Sequence, residues 1–136
     1  MKRDKNKSGF TLLEIIIVII IVGILASLAM PKFFKTVEYS RSAEALTNLG
    51  AIRRAMDVCY QPTQNYAPCT DFTKLSVEDP GLMFGAHWTY TWTIAPPSAF
   101  VITAKRNAID GGLAADTITI NQDGVKIGTG NFLNIQ

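Results

Sequence analysis

Residues 10–30 read FTLLEIIIVIIIVGILASLAM, and this stretch decides the fold of the chain. Its one charged residue is Glu14. An α-helix rises about 1.5 Å per residue and the bilayer core is about 30 Å thick, so about twenty apolar residues span it. The stretch is apolar on every side, unlike a surface helix. A domain of this size is too small to enclose such a helix, and the sequence therefore predicts a membrane helix.

The residues ahead of this helix are basic. Residues 1–9 hold one acid, Asp4, and four basic side chains, which are Lys2, Arg3, Lys5 and Lys7. Basic residues beside a membrane helix favour a cytoplasmic position, so we expect the N-terminus to be cytoplasmic in the precursor. The whole chain carries a formal net charge of only +2. It lacks the basic surface typical of nucleic-acid-binding domains, and no nucleic-acid partner is predicted.

Glu14 is unusual inside an apolar helix. A carboxylate at the centre of a membrane helix costs about 2.5–3.5 kcal/mol, and less near the helix end, so it generally has a partner or a function. The alternative is that Glu14 reaches the interface and has no role. A secretory signal is a second alternative for the segment, because cleavage after Ser27-Leu28-Ala29 would release the chain from Met30. The length of the apolar run and the acid within it disfavour that alternative.

The segment Ser8-Gly9-Phe10-Thr11-Leu12-Leu13-Glu14 resembles the prepilin-peptidase site of type IV pilins and type II secretion pseudopilins. The resemblance covers residues 1–58, and only the general architecture beyond them. It implies that residues 1–9 are a leader peptide, that a membrane aspartic peptidase cuts after Gly9, and that the same enzyme methylates the amine of Phe10. It also implies that Glu14 meets the Phe10 ammonium of a neighbouring subunit as a helical homo-oligomeric filament assembles.

The same resemblance implies the partners and the location of the chain. We expect an inner-membrane assembly platform with a separate cytoplasmic ATPase, and we expect no cofactor, because the sequence has no nucleotide-binding motif. The precursor is expected to be a single-pass inner-membrane protein, and the assembled form a cell-surface filament or a periplasmic pseudopilus. A pilin that serves adhesion, motility or DNA uptake is favoured over a type II secretion pseudopilin.

Gly23 and Pro31 are the two helix-weakening residues of the segment. Glycine lowers helix stability by about 1 kcal/mol relative to alanine, and proline removes a backbone hydrogen bond. The hypothesis is that the helix kinks or melts between them when subunits pack, and the alternative is an ordinary, gently kinked membrane helix. Both residues also match the resemblance, in which a glycine and a proline often occupy these places.

Residues 31–136 are predicted to form a globular head. Apolar residues recur every three or four positions up to about residue 59, which predicts that one helix continues from the membrane half, residues 10–30, onto the head. The apolar positions are Phe34, Val37, Ala45, Leu49, Ile52, Met56 and Cys59. If the head is exported, Cys59 and Cys69 are expected to form a disulfide across the loop that follows; the alternative is two free thiols.

The remainder alternates with a period of two, which predicts strands. Residues 88–94 and 100–105 alternate on either side of Pro96-Pro97-Ser98, and Asp123-Gly124 marks a hairpin between two later strands. We predict an α+β fold in which the long helix packs on an antiparallel meander of about four strands within residues 87–129. A helix backed by a small sheet is also what the resemblance implies.

Other residues suggest ligand chemistry with less support. Asp110 and Asp116 form a calcium candidate in a late loop, and otherwise no metal site is expected. Residues 121–124, Asn-Gln-Asp-Gly, are better explained as a turn than as a calcium loop. The stripe of Trp88, Tyr90 and Trp92 could stack on a sugar or a base, but it more often belongs to a core.

No enzyme is predicted, because the chain lacks recognisable catalytic motifs. His87 stands beside Trp88 without an identifiable carboxylate partner. The rival of another class is an exported or membrane-anchored ligand-binding protein that uses the aromatic stripe or the loop of residues 110–116. The mature N-terminus distinguishes these possibilities: Phe10 for a pilin, Met30 for a released protein and Met1 for a plain anchor.

Overall fold

The computed structural model describes residues 9–133. The basic residues of the predicted leader, together with Asp4 and Ser8, lie outside the described residues, as do residues 134–136. The chain divides by its internal contacts into two units, Met1–Thr36 and Val37–Gln136.

A single helix, α1, runs over Leu12–Tyr60 and contains Pro31. The helical assignment is unbroken at Gly23 and at Pro31, which confirms the predicted continuous helix. Up to residue 36 its side chains are exposed, because no other part of this unit covers them. From residue 42 onward one face is buried, and its positions follow the spacing of three and four that the sequence predicts.

Four antiparallel strands form a meander in the order β1-β2-β3-β4. They are β1 (Trp88–Ala95), β2 (Ala99–Arg106), β3 (Thr117–Asn121) and β4 (Lys126–Gly128). Each strand pairs with the next one in the sequence, which confirms the predicted α+β meander. The turn between β3 and β4 contains Gly124 at φ +84°, a conformation that favours glycine.

The core lies between the second half of α1 and one face of the sheet. Alternate residues of β1, β2 and β3 point into it because successive side chains of a strand face opposite sides. The helix contributes Ala45, Leu49, Ile52 and Met56; the strands contribute Trp88, Tyr90, Phe100, Ile102, Ala104, Ile118 and Ile120. Phe34, which the periodicity placed on the apolar face, is exposed instead. The buried face begins only where the sheet covers the helix.

The connecting segments complete this core. Tyr66, Cys69 and Leu75 come from the long segment between α1 and β1, and Phe132 comes from a turn of 3-10 helix after β4. The ring of Phe132 lies 5.2 Å from that of Trp88. Its approach requires glycine at 128, because a Cβ there would collide with the Phe132 carbonyl. The sequence pattern did not predict these contributions, since loop residues carry no periodicity.

Candidate processing and assembly site

The Gly9-Phe10 bond lies just outside α1. Neither residue is helical, and α1 begins two positions later at Leu12. Phe10 is 83% exposed, and a Cβ built on Gly9 would meet nothing within 4 Å. The peptide bond after Gly9 is therefore accessible and lies outside the helix, as a protease needs its substrate to be.

Thr11 and Glu14 close the N-terminus of α1 by a reciprocal pair of hydrogen bonds. The Thr11 amide donates to Glu14 Oε2 at 2.8 Å, and the Glu14 amide donates to Thr11 Oγ1 at 3.2 Å. The Thr11 hydroxyl also donates to Glu14 Oε2, at 2.9 Å. This is a capping box, in which a Ser or Thr at the N-cap and a Glu three residues later satisfy exposed backbone amides. The motif was missed in the sequence analysis, although Thr-x-x-Glu ahead of an apolar run indicates it.

Glu14 keeps one carboxylate oxygen available. Both hydrogen bonds from Thr11 end on Oε2, and Oε1 accepts none from the residues that the structure describes. The carboxylate can thus cap its own helix and still accept a hydrogen bond from an ammonium group outside the chain.

The first half of α1 is an uncovered apolar surface. Every residue from 10 to 36 is exposed. Within residues 9–133, α1 is the one helix long and apolar enough to cross a membrane, by length and composition. Exposed apolar surface of this extent marks a membrane or a protein interface.

The structure contains the predicted disulfide between Cys59 and Cys69. It joins the last turn of α1 to the following loop, at a sequence separation of 10. Cys69 is fully buried, and its carbonyl accepts a hydrogen bond from the indole of Trp92 at 2.8 Å. The bridge therefore fixes this loop against the helix, and the hydrogen bond from Trp92 holds it against β1.

A buried arginine ties α1 to the sheet. Arg106 at the end of β2 is 1% exposed, and it donates to both carboxylate oxygens of Glu38, at 3.0 and 3.2 Å. It also donates to the carbonyl of His87 at 2.9 Å. Hydrogen bonds from Arg106, and to a lesser extent from Arg41, hold the pKa of Glu38 below its usual value, against the opposing effect of burial.

His87 has carboxylate partners, contrary to the sequence analysis. Its Nδ1 lies 3.0 Å from Glu44 Oε2, and its Nε2 lies 3.3 Å from Asp110 Oδ2. These residues are 43 and 23 positions away, so no local pattern could reveal them. Asp110 also pairs with Arg41 at 3.3 Å, which makes the group a structural network between α1 and the loop after β2.

The calcium candidates are engaged by different partners. Asp110 faces His87 and Arg41, as described above. Asp116 is buried. Its carboxylate accepts a hydrogen bond from the backbone amide of Asn131 at 3.1 Å and another from the side-chain amide of Asn131 at 2.8 Å. Among residues 9–133, no three His, Cys, Asp or Glu side chains converge as a metal site would require. The structure thus does not bring this pair together as a ligand set.

The two other features considered for ligand binding are part of the core and of a turn. Trp88 and Tyr90 are buried, and the ring of Trp92 packs edge-on against that of Phe72 at a centroid distance of 4.8 Å. The aromatic stripe is therefore part of the core, which is the interpretation that the sequence favoured. Residues 121–124 form the predicted turn: Asn121 Oδ1 accepts from the Val125 amide at 2.9 Å.

Comparison with known proteins agrees with the geometry of the N-terminus. The family model described as the prokaryotic N-terminal methylation motif matches residues 4–30. The type II secretion system core protein G of Vibrio cholerae is 37% identical over 71 residues, which cover 52% of this chain and 48% of that protein. Its counterpart in Escherichia coli K12 is 33% identical over 82 residues, covering 60% and 57%.

The chain is also similar to a type IV pilin. The type IV major pilin protein PilA of Myxococcus xanthus is 42% identical over 64 residues, which cover 47% of this chain and 29% of that protein. The chain spans about half the length of the secretion proteins that it matches. No solved structure matches it significantly.

These relatives are pilin and pseudopilin subunits, not enzymes. The methylation motif ends where the apolar stretch ends, and it includes the accessible Gly9-Phe10 bond and the capping box. With its long N-terminal helix and four-stranded sheet, the chain resembles type IV pilins and type II secretion proteins, and its N-terminus carries the prokaryotic methylation motif.

Proposed function

We propose that the chain is a structural type IV pilin subunit that is cut after Gly9, methylated on Phe10 and polymerised through its N-terminal helix. The observation that carries the proposal is the order of features at the N-terminus. An accessible Gly9-Phe10 bond precedes a capped helix whose first half is apolar and uncovered. In this proposal residues 1–9 are the leader, 10–30 form the membrane and filament-core half, and 31–136 form the head.

Glu14 is the proposed assembly residue. Cleavage creates a new ammonium at Phe10, and Oε1 of Glu14 accepts no hydrogen bond within residues 9–133. In an apolar filament core an opposite charge at contact distance stabilises a carboxylate by several kcal/mol. The Phe10 ammonium of a neighbouring subunit therefore selects one packing register among many similar ones. In the same core, the stretch of α1 between Gly23 and Pro31 is the segment proposed to kink or melt when subunits pack.

The membrane stage of the proposal follows from the charge pattern. The basic residues of the leader keep the N-terminus cytoplasmic, so the head lies outside the inner membrane, where oxidation permits the Cys59–Cys69 disulfide. The predicted partners are a prepilin peptidase, an inner-membrane assembly platform and a separate ATPase. The products are filaments on the cell surface.

A type II secretion pseudopilin is the second candidate. The relatives named core protein G favour it, since they match over more than half of this chain. A pilin is favoured because the calcium-binding late loop that the resemblance associates with the major pseudopilin is not evident in the sequence. Both candidates share cleavage, methylation and assembly, and differ in whether the filament reaches the surface.

The test is intact mass and N-terminal sequencing of protein sheared from the cell surface. We expect a chain that begins with N-methylated Phe10. The same chain found only in the periplasm and membrane would indicate a pseudopilin. A chain beginning at Met30 or at Met1 would overturn the proposal in favour of a released or simply anchored protein.

A further inference from the structure

An exposed apolar loop interrupts the otherwise polar surface between α1 and β1. Leu82 is 84% exposed, Met83 is 55% exposed and Phe84 is fully exposed. Single exposed apolar residues are ordinary, but three consecutive large ones form a patch that usually marks an interface. The patch borders a groove of about 590 Å³, also lined by the apolar side chains of Phe72 and Val77.

The rim of this groove is acidic. Asp71, Glu78 and Asp79 line it. Asp71 accepts a hydrogen bond from the Lys74 amide at 2.9 Å, and Asp79 accepts one from the Gly81 amide at 2.8 Å, so both stabilise local turns. Glu78 is exposed and makes no hydrogen bond or ion pair within residues 9–133. Its charge is available to a basic partner.

The same chain carries a surface of matching chemistry on the uncovered side of α1. Thr47, Ala51, Arg54 and Val58 follow one another at spacings of three and four, so they share a face, and all four are exposed. This face is distinct from the buried one that packs on the sheet. Val58 is 65% exposed, and the small side chains at 47 and 51 leave room for large apolar side chains to approach.

Arg54 supplies the complementary charge. It is exposed and has no carboxylate partner in the part of the chain that the structure describes. Lys105 is less suitable as the partner of Glu78, because its cross-strand neighbours on the outer face of the sheet, Thr89 and Thr117, are both polar. The helix face thus places a positive charge beside the exposed side chains of Ala51 and Val58.

We propose that the loop of residues 82–84 in one subunit docks on the helix face of residues 47–58 in a second copy of the chain, with Glu78 paired to Arg54. Both surfaces are exposed in one copy, so the contact joins different patches of two copies. Such a heterologous contact generates a ring if the rotation between copies closes and an open filament if it does not, and the proposed filament uses the open form. The inference rests on the proposed function and names the head surfaces that the assembled subunits use.

Charge reversal in the full-length chain tests the pairing. Glu78→Arg and Arg54→Glu should each lower the yield of sheared filaments several-fold, because like charges then meet at the contact. The double variant should restore the yield. Lys105→Glu is the matched control and should leave the yield unchanged. The amount of subunit in the membrane fraction normalises each measurement.

Cross-linking provides a second measurement. In filaments of the Thr47→Cys/Phe84→Cys variant, mild oxidation should produce a ladder of covalent oligomers that neither single variant gives. If the unaltered chain assembles but the single reversals have no effect, or the double variant does not recover and no ladder forms, the inference is overturned. If the unaltered chain forms no filament and lacks an N-terminal Phe10, the proposed function itself fails.

Discussion

Glu14 combines two chemical roles in one side chain. Its carboxylate caps the first turn of α1 through Thr11, and it carries the charge proposed to meet a neighbouring Phe10. Substitution by alanine removes both roles, so an assembly defect in Glu14→Ala alone would not show which one matters. Glutamine separates them, because its side-chain carbonyl still accepts from the Thr11 amide but carries no charge.

We therefore predict that Glu14→Gln and Glu14→Ala are both cleaved after Gly9 and both fail to assemble normally. The physical reason is that the ion pair in the apolar core is lost in each. The measurements are the N-terminal sequence of the membrane-bound subunit and the yield of sheared filaments. Thr11→Ala is the matched control, since it removes the capping hydroxyl, at about 1 kcal/mol, and keeps the charge. Normal filament yield from Glu14→Gln would contradict the assigned role.

The Thr11–Glu14 pair can be predicted from the sequence, whereas the His87 network cannot. A capping box has a fixed spacing of three residues, so Thr11 and Glu14 carry a signal that can be recognised in the sequence alone. The partners of His87 are 43 and 23 positions away and meet only because the sheet packs on α1. No single-sequence pattern encodes such a contact.

At the scale of elements, periodicity predicted the helix and the meander well. Spacings of three and four identified four buried residues of α1, and alternation identified the strands. The segment between α1 and β1 was predicted only as a loop, yet it buries Tyr66, Cys69 and Leu75. Loops obtain their core contacts from tertiary packing and from the disulfide, neither of which imposes a repeating pattern.

The disulfide should make a measurable contribution to this element. Closing a loop of about ten residues restricts the unfolded chain and stabilises the fold by roughly 2–3 kcal/mol. We predict that Cys59→Ala/Cys69→Ala lowers the free energy of unfolding by about that amount, measured by denaturant titration of the detergent-solubilised chain. Reduction of the unaltered protein is the control, because it breaks the bond and keeps both sulfur atoms. Equal stability of the oxidised and reduced forms would refute the prediction.

At the scale of the whole molecule, every buried residue among the described residues 9–133 lies between Ser42 and Phe132. The unit Val37–Gln136 thus contains the entire core, together with the disulfide and the Glu38–Arg106 pair. We infer that this unit folds without the apolar half of α1. A fragment of residues 37–136 is therefore a suitable soluble sample for measuring the stability of the head.

For this fragment we predict that the free energy of unfolding falls at both low and high pH. Hydrogen bonds from Arg106 lower the pKa of Glu38, so its contribution is present above the unfolded value of 4.5 and is lost as the pH falls through the lower folded value. Burial raises the pKa of Tyr90 to about 12 from 10.0, so its contribution is present below pH 10 and is lost as the pH rises towards 12. The measurement is the denaturant midpoint as a function of pH. Glu38→Gln should flatten the acid limb and Tyr90→Phe the alkaline limb, since each removes the titrating group. An unchanged acid limb in Glu38→Gln would show that the Glu38–Arg106 pair does not link the helix to the sheet in solution.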